Sequence, residues 1–292
     1  MRIYTLRNHL EHAVEALKDG PHPEKADRDS EFLLLHLLRK NRAWLIAHPR
    51  KELSEEQQDL YEEIIRRRLS GEPVQYIAGE TEFYGLPFRV TPDVLIPRPE
   101  TEHLVERAIQ LAAEFTQPRI VDVGTGSGAI AVALATHLQD ARITSIDVSE
   151  KALAVARENA ERNGVSERMR FLAGDLLGPV AGEQFELVVS NPPYVPEADR
   201  ASLSVEVRDY EPGVALFAGE DGLDVYRRLI PAAYNVLAPG GYVLMEIGYR
   251  QAEGVRALLA GSGFEAIQFI PDLQGIARVA CGKRESAAPV VK

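Results

Sequence analysis

Ile120-Val121-Asp122-Val123-Gly124-Thr125-Gly126-Ser127-Gly128 decides the fold of this 292-residue chain. An apolar run of strand length passes directly into a turn with three glycines, and Gly128 to Leu138 then reads as a helix. Downstream the same alternation continues. Arg142 to Ile146 reads as a strand ending at Asp147, and Ser149 to Asn163 as a helix closed by Gly164. Arg170-Phe171-Leu172 and Phe185 to Ser190 (FELVVS) read as strands. Leu223 to Leu237 is a helix closed by Pro239-Gly240-Gly241, followed by a strand over Tyr242 to Ile247 and a helix over Ala252 to Leu259. Residues 264–270 and 275–281 read as two last strands, and the final twelve residues as a tail. This alternation predicts a mainly parallel, doubly wound α/β sheet.

Upstream of Arg119 the pattern differs. Leu6, Leu10, Ala13, Val14 and Leu17 fall at helical spacing, a second helix spans 24–40, and a short one runs from Arg42 to Ala47. Ser54 followed by Gln57 is a capping-box pattern that opens a helix closed by Gly71. Residues 1–72 therefore read as an all-helical bundle. Arg66-Arg67-Arg68 near its end reads as a solvated helix face rather than a phosphate site. Gln75-Tyr76-Ile77 and Phe88-Arg89-Val90 look strand-like, so residues 73–95 are expected to form a hairpin-like connector. Leu95-Ile96-Pro97-Arg98-Pro99-Glu100-Thr101-Glu102 is a rigid entry to the next helix, read either as a simple helix start or as a segment lying against a cofactor.

Bulk properties narrow the function. The formal net charge is −11, but residues 1–75 carry 13 Lys+Arg against 14 Asp+Glu, while the remainder carries 20 against 30. The acidic second part disfavours broad contact with a nucleic-acid backbone. The single cysteine, Cys281, excludes an internal disulfide and a cysteine-based metal cluster, and suits a reducing cytoplasm. No apolar run is long enough to span a membrane, and the N-terminal alternation of charged and apolar residues does not fit a signal peptide. The seven histidines are scattered, so none is nominated as a catalyst, and no metal site is expected.

Gly124-Thr125-Gly126-Ser127-Gly128 lacks the Lys-Ser/Thr of a phosphate-binding loop and departs from the dinucleotide G-x-G-x-x-G pattern. Asp147 follows 19 residues after Gly128, where a carboxylate can accept both hydroxyls of an adenosine ribose. Asp175, after the third strand, is placed to accept an adenine amine. Asn191-Pro192-Pro193-Tyr194 stops the next strand, because prolines cannot donate to a ladder and hold the residue before them extended. Such a loop offers one amide side chain, outward carbonyls and one ring, a set that suits a planar group carrying an NH2. An adenosine cofactor beside an NH2-gripping loop points to S-adenosyl-L-methionine and methyl transfer to nitrogen, with NAD left open.

In combination, the GTGSG turn, Asp147 and NPPY resemble class I S-adenosylmethionine-dependent amino-methyltransferases. Gly71 to Ile77 (GEPVQYI), Leu95 to Glu102 (LIPRPETE), Asp221 to Asp224 (DGLD) and Glu246-Ile247-Gly248 narrow this further. Together they resemble the bacterial peptide chain release factor glutamine methyltransferases (PrmC/HemK family) over nearly all of the chain. The resemblance implies a Rossmann-like class I methyltransferase sheet with an N-terminal all-helical domain. Residues 1–72 would serve substrate docking, 73–95 the connector, 96–283 the methyltransferase domain and 284–292 a tail. It implies methylation of the side-chain amide of the glutamine in a Gly-Gly-Gln motif, with release factors as partners and no direct nucleic-acid or membrane contact. Gly124, Thr125, Gly126, Ser127, Gly128, Asp147, Asp175, Leu176 and Asn191 would line the cofactor. Asn191, Pro192, Pro193 and Tyr194 would hold the glutamine, with Asn191, Pro192 and Tyr194 acting in catalysis. Leu176 stands where some members carry a bulky aromatic. A glutamine methyltransferase of a ribosomal protein, a DNA adenine methyltransferase and a non-catalytic cofactor-binding scaffold remain alternatives.

Overall fold

The computed structural model describes residues 5–286. Five helices come first: α1 (Leu6–Lys18), α2 (Ala26–Leu38), α3 (Arg42–Ala47), α4 (Glu55–Leu69) and α5 (Val74–Ala78). A hairpin follows, β1 (Glu80–Phe83) and β2 (Leu86–Arg89). Then come α6 (Glu102–Ala112), β3 (Arg119–Val123), α7 (Ala129–His137), β4 (Arg142–Asp147), α8 (Glu150–Arg162), β5 (Met169–Ala173) and β6 (Phe185–Ser190). The chain ends with α9 (Val205–Tyr210), α10 (Asp224–Val236), β7 (Leu237–Glu246), α11 (Ala252–Gly261), β8 (Glu265–Pro271) and β9 (Ala277–Lys283).

By internal contacts the chain forms two compact units. One runs through Gly79 and also takes in Leu203–Tyr210; the other comprises Glu80–Ser202 and the chain from Glu211 onward. The first unit closes on Leu6, Leu17, Leu33, Leu34, Leu45 and Tyr61, all buried. Its helices start on side-chain caps. Ser54 accepts from Gln57 N while Gln57 returns a bond to Ser54 N, and Thr5 with Asn8 does the same for α1.

Two expectations are corrected in this unit and one missed element is added. Gln75-Tyr76-Ile77 is helical, not strand-like. Pro73 presets the backbone at the N-cap, Gly79 ends the turn at φ 75°, and burial of Tyr76 outweighs its strand propensity. The Arg66-Arg67-Arg68 run is not a uniform solvated face. Arg66 pairs with Glu63 and Arg67 forks onto Glu72, but Arg68 is 2% exposed and donates to Asp29 Oδ2 at 2.6 Å. Arg68 Nη2 also lies 2.7 Å from Glu206 Oε1, a charge contact too bent to count as a hydrogen bond. Finally, α9 escaped the sequence reading. It belongs to this unit through Glu206 and through Tyr210, whose hydroxyl donates to Ser70 O at 2.9 Å.

In the second unit, β1 and β2 pair antiparallel around Tyr84 and Gly85, whose φ values of 52° and 71° give the primed turn that matches strand twist. The seven-stranded sheet has the order β5-β4-β3-β6-β7-β9-β8. All its pairings are parallel except those of β9 with β7 and β8. Helices bury both faces, which is why β3 and β6 are almost continuously apolar. Leu237 pairs with Phe185 and Tyr242 with Leu187, so residues 238–241 loop out between them. The tail is also shorter than expected: residues 281–283 belong to β9, Arg284 N still donates to Gly241 O at 2.8 Å, and 287–292 lie outside the described residues.

Candidate active site

Strand order reverses at β3: β4 lies on one side of it and β6 on the other. The loops leaving β3 and β6 therefore diverge and open a crevice at the carboxyl ends of the strands, where such sheets take ligands. A cavity of about 310 Å³ occupies this place. It brings together Gly124 to Ser127, Asp147, Asp175, Leu176, Asn191 and Pro193, and adds Arg98 and Thr101. Gly128, Pro192 and Tyr194 are not among its lining residues.

The glycine turn is a backbone surface. Gly124, Gly126 and Gly128 have φ of 72°, 55° and 80°, a region that side-chain-bearing residues rarely adopt. Gly128 has a second duty away from the cavity: a Cβ there would sit 3.1 Å from Ala156 Cβ, so its absence lets α7 start close against α8. Asn159 of α8 ties the turn down, donating to Ser127 O at 2.8 Å and to Arg89 O at 2.9 Å. Asp147 is held from both sides. Its Oδ2 accepts from Gly126 N and its Oδ1 from Ser149 N, each at 2.9 Å. A carboxylate has about four lone-pair sites, so one on each oxygen stays open for a pair of vicinal hydroxyls. Asp147→Ala should weaken S-adenosylmethionine binding by roughly 1.5–3 kcal/mol, ten- to a hundredfold. Titration calorimetry checks this, and an unchanged dissociation constant would remove Asp147 from the site.

Asp122, read only as part of a strand, is fully buried beneath the turn. Burial pushes its carboxyl up, and the Asp147 charge adds to this. The Thr125 hydroxyl, donating at 2.6 Å, opposes them, and the outcome is a pKa of about 7. The Ala131 backbone N–H also lowers it slightly, without reaching full hydrogen-bond geometry on Oδ1. A raised carboxyl favours the folded state most at low pH. From the ordinary value near 3.8 up to about 7, the unfolded chain releases a proton that the native one keeps. Native stability from this group therefore falls by up to about 1.4 kcal/mol per pH unit across that window. Asp122→Asn abolishes the slope. Relative to wild type, the variant should gain stability between pH 5 and pH 7 and then level off. Denaturant melts at several pH values test this, and a pH-independent difference would count against it.

The Asn191 loop is anchored from behind. Asn191 Nδ2 donates to Thr101 Oγ1 at 3.1 Å, which leaves the Oδ1 end of the amide for a ligand. The Tyr194 hydroxyl donates to Glu246 Oε1 at 3.1 Å, and Thr101 donates to Glu246 Oε2 at 2.5 Å. Burial pushes the Glu246 carboxyl up, while these two donors hold it down. Burial likewise raises the Tyr194 phenol. Gln251 joins the remaining loops: its Nε2 donates to Tyr194 O at 2.9 Å and Gly222 O at 3.2 Å, and its Oε1 accepts from Gly248 N at 2.9 Å. At Gly222 a Cβ would lie 2.3 Å from Tyr194 O, so only glycine fits. Of the remaining nominees, Asp175 is exposed and pairs with Arg228, and Leu176 holds a φ of 49° at the cavity wall.

Comparison with known proteins decides the family. The PrmC N-terminal domain model matches residues 8–79 and the methyltransferase small domain model residues 101–206. The release factor glutamine methyltransferase of Koribacter versatilis is 42% identical over 286 residues, covering 97% of this chain and 100% of its own. The chain belongs to the release factor glutamine methyltransferase family. The Salmonella typhimurium protein of that name is 39% identical over 274 residues, covering 94% of this chain and 97% of its own. Among solved structures, the catalytic domain of hMettl16 in complex with a MAT2A 3′UTR hairpin superposes with a TM-score of 0.59 at 14% identity. It covers 89% of this chain and 92% of its own. A methyltransferase from Pyrococcus furiosus gives 0.52 at 18% identity, over 70% and 91%. Both share the class I methyltransferase fold. The chain is thus an S-adenosylmethionine-dependent methyltransferase.

The donors and acceptors present fit that cofactor. The cavity suits a nucleoside-sized ligand, the glycine turn exposes backbone, and Asp147 keeps open lone pairs on its wall. Among the described residues no cluster of His, Cys, Asp or Glu could hold a metal, and no helix is long and apolar enough to cross a membrane. Sequence reasoning gave Asp122 and Glu246 no individual role, and took Thr101 only as part of the Leu95 to Glu102 segment. For the two acids the available signal was a carboxylate inside or ending an otherwise apolar strand, IVDV and YVLME.

Proposed function

We propose that this methyltransferase transfers a methyl group to the side-chain amide nitrogen of the glutamine in the Gly-Gly-Gln motif of peptide chain release factors, in the cytoplasm. The observation that carries this reading is the placement of the Asn191 amide, Oδ1 end free, on the wall of the cavity that holds the glycine turn and Asp147. S-adenosylmethionine supplies an electrophilic methyl on a sulfonium, and the product is the neutral thioether. The residues' task is to present a weak nucleophile, since the amide lone pair is delocalised. Asn191 Oδ1 and the Pro192 carbonyl accept the two amide hydrogens, draw charge toward nitrogen and orient it in line with the bond that breaks. Tyr194 packs on the amide plane. Rate enhancement then comes from positioning and electrostatics. The proton leaves to water after transfer, so no strong base is required.

The test is mass analysis of release factor incubated with the protein and S-adenosylmethionine. The Gly-Gly-Gln peptide should gain the mass of one methyl group, and duplex DNA in the same assay should gain none, as the net −10 on residues 76–292 implies. Labelled adenine recovered from the DNA would overturn the reading.

The helical unit serves docking in this account. A Gly-Gly-Gln loop offers few side chains to recognise, so a second contact raises its effective concentration at the site. Release factor added to the full-length protein should slow amide exchange in α1 to α5. Unchanged exchange there, with methylation intact, would remove the docking role.

A further inference from the structure

The polar groups behind the Asn191 loop converge on one buried carboxylate. Asn191 Nδ2 donates to Thr101 Oγ1, Thr101 donates to Glu246 Oε2, and Tyr194 donates to Glu246 Oε1. With Glu246 ionised every link has a fixed direction: the carboxylate has no hydrogen to give, so both hydroxyls point theirs at it. The Thr101 oxygen is then left with lone pairs toward Asn191, and only the NH2 end of that amide can face it. Flipping Asn191 would set its Oδ1 against those lone pairs.

The surroundings hold the arrangement still. Glu246 and Thr101 are 2% and 4% exposed, and Tyr226 donates to the Glu246 backbone carbonyl at 2.8 Å. Ser190 pairs with Met245, so the end of β7 lies directly beside the strand that delivers Asn191. A buried carboxylate with two hydroxyl donors is a costly way to fill space; apolar side chains of similar volume would pack as well or better. Its value lies in specifying orientation.

We propose that Thr101 and Glu246 are positioning residues for methyl transfer, fixing the Asn191 carboxamide with Oδ1 toward the substrate amide and the Tyr194 ring in its plane. This rests on the reading of Asn191 to Tyr194 as the substrate clamp. Glu246 lies outside the cavity, and Thr101, on its wall, spends its hydroxyl on Glu246 and Asn191. Both act by setting which end of the Asn191 amide faces the cavity.

Thr101→Val keeps the shape and removes the hydroxyl. Its kcat on release factor should fall about tenfold or more, as for loss of an oriented polar group, while the dissociation constant for S-adenosylmethionine stays within about threefold. Thr101→Ser should recover most of the loss. The combined Thr101→Val/Asn191→Ala protein should be no slower than Asn191→Ala alone, because Thr101 acts through Asn191. If Thr101→Val does not fold, Glu246→Gln replaces it: the volume is kept, but one of the two donors loses its acceptor, and kcat should drop with cofactor binding retained. An inactive wild-type enzyme would overturn the clamp reading and this proposal with it. An active wild type with Thr101→Val or Glu246→Gln within about threefold of its kcat, or a double variant slower than Asn191→Ala by the full Thr101→Val factor, would overturn positioning alone.

Discussion

Asn191→Ala is expected to lower turnover by about 10²- to 10³-fold, or 2.7–4 kcal/mol of transition-state stabilisation. The residue ends β6, lines the cavity, and commits its NH2 to Thr101, so truncation removes the one side-chain acceptor aimed at the incoming amide. The fold should survive. Asn191 is only partly buried, and its backbone is set by Pro192, which follows it, rather than by its side chain. Steady-state methyl transfer, with a thermal melt and a cofactor titration on the same sample, separates the effects. Low kcat with an unchanged melt and near-normal cofactor affinity is the expected pattern. Turnover near wild type would place the clamp elsewhere.

Arg68→Ala should destabilise the helical unit by about 3–5 kcal/mol, because it strands a buried charge. Asp29, with its side chain 7% exposed, would lose the guanidinium that neutralises it, and Glu206 would keep only peripheral partners. The adjacent Arg67→Ala is the control. That pair is 39% exposed on the arginine side, and its loss should cost about 1 kcal/mol or less. Denaturant unfolding followed by a probe in the helical unit, its lone Trp44, reads both. Equal costs for the two arginines would refute the burial argument.

The arginine pair also shows what a sequence exposes and what it hides. Arg66, Arg67 and Arg68 are chemically identical, and only one faces inward, toward Asp29 39 residues earlier and Glu206 far downstream. The α/β alternation was legible because each strand is an apolar run and the helices that follow start or stop at glycine, serine or proline, all local signals. Gln75-Tyr76-Ile77 misled because strand propensity reports fit to a half-buried surface, and a helix can supply such a surface too. Helix α9 is too short to show a period, and its partners Ser70 and Arg68 are remote. At the site, Asp147, the glycine turn and Asn191 stood out because each falls at a strand's carboxyl end. The Thr101–Glu246 link was invisible: it spans 145 residues, and nothing near either residue announces the other.

Leu203–Tyr210 belongs to the helical unit although the chain on both sides of it belongs to the other. This has a consequence for how the protein is made. During synthesis α1 to α5 emerge first, yet the segment that carries Glu206 and Tyr210 follows only after roughly 120 further residues. At about 5–20 residues per second that is a wait on the order of 6–25 seconds. Arg68 and Asp29 can pair at once, while the backbone at Ser70 and Gly71 stays open until most of the sheet, including the Asn191 loop, has left the ribosome. The first part of the chain to be translated is not finished until four of the seven strands of the sheet have been made.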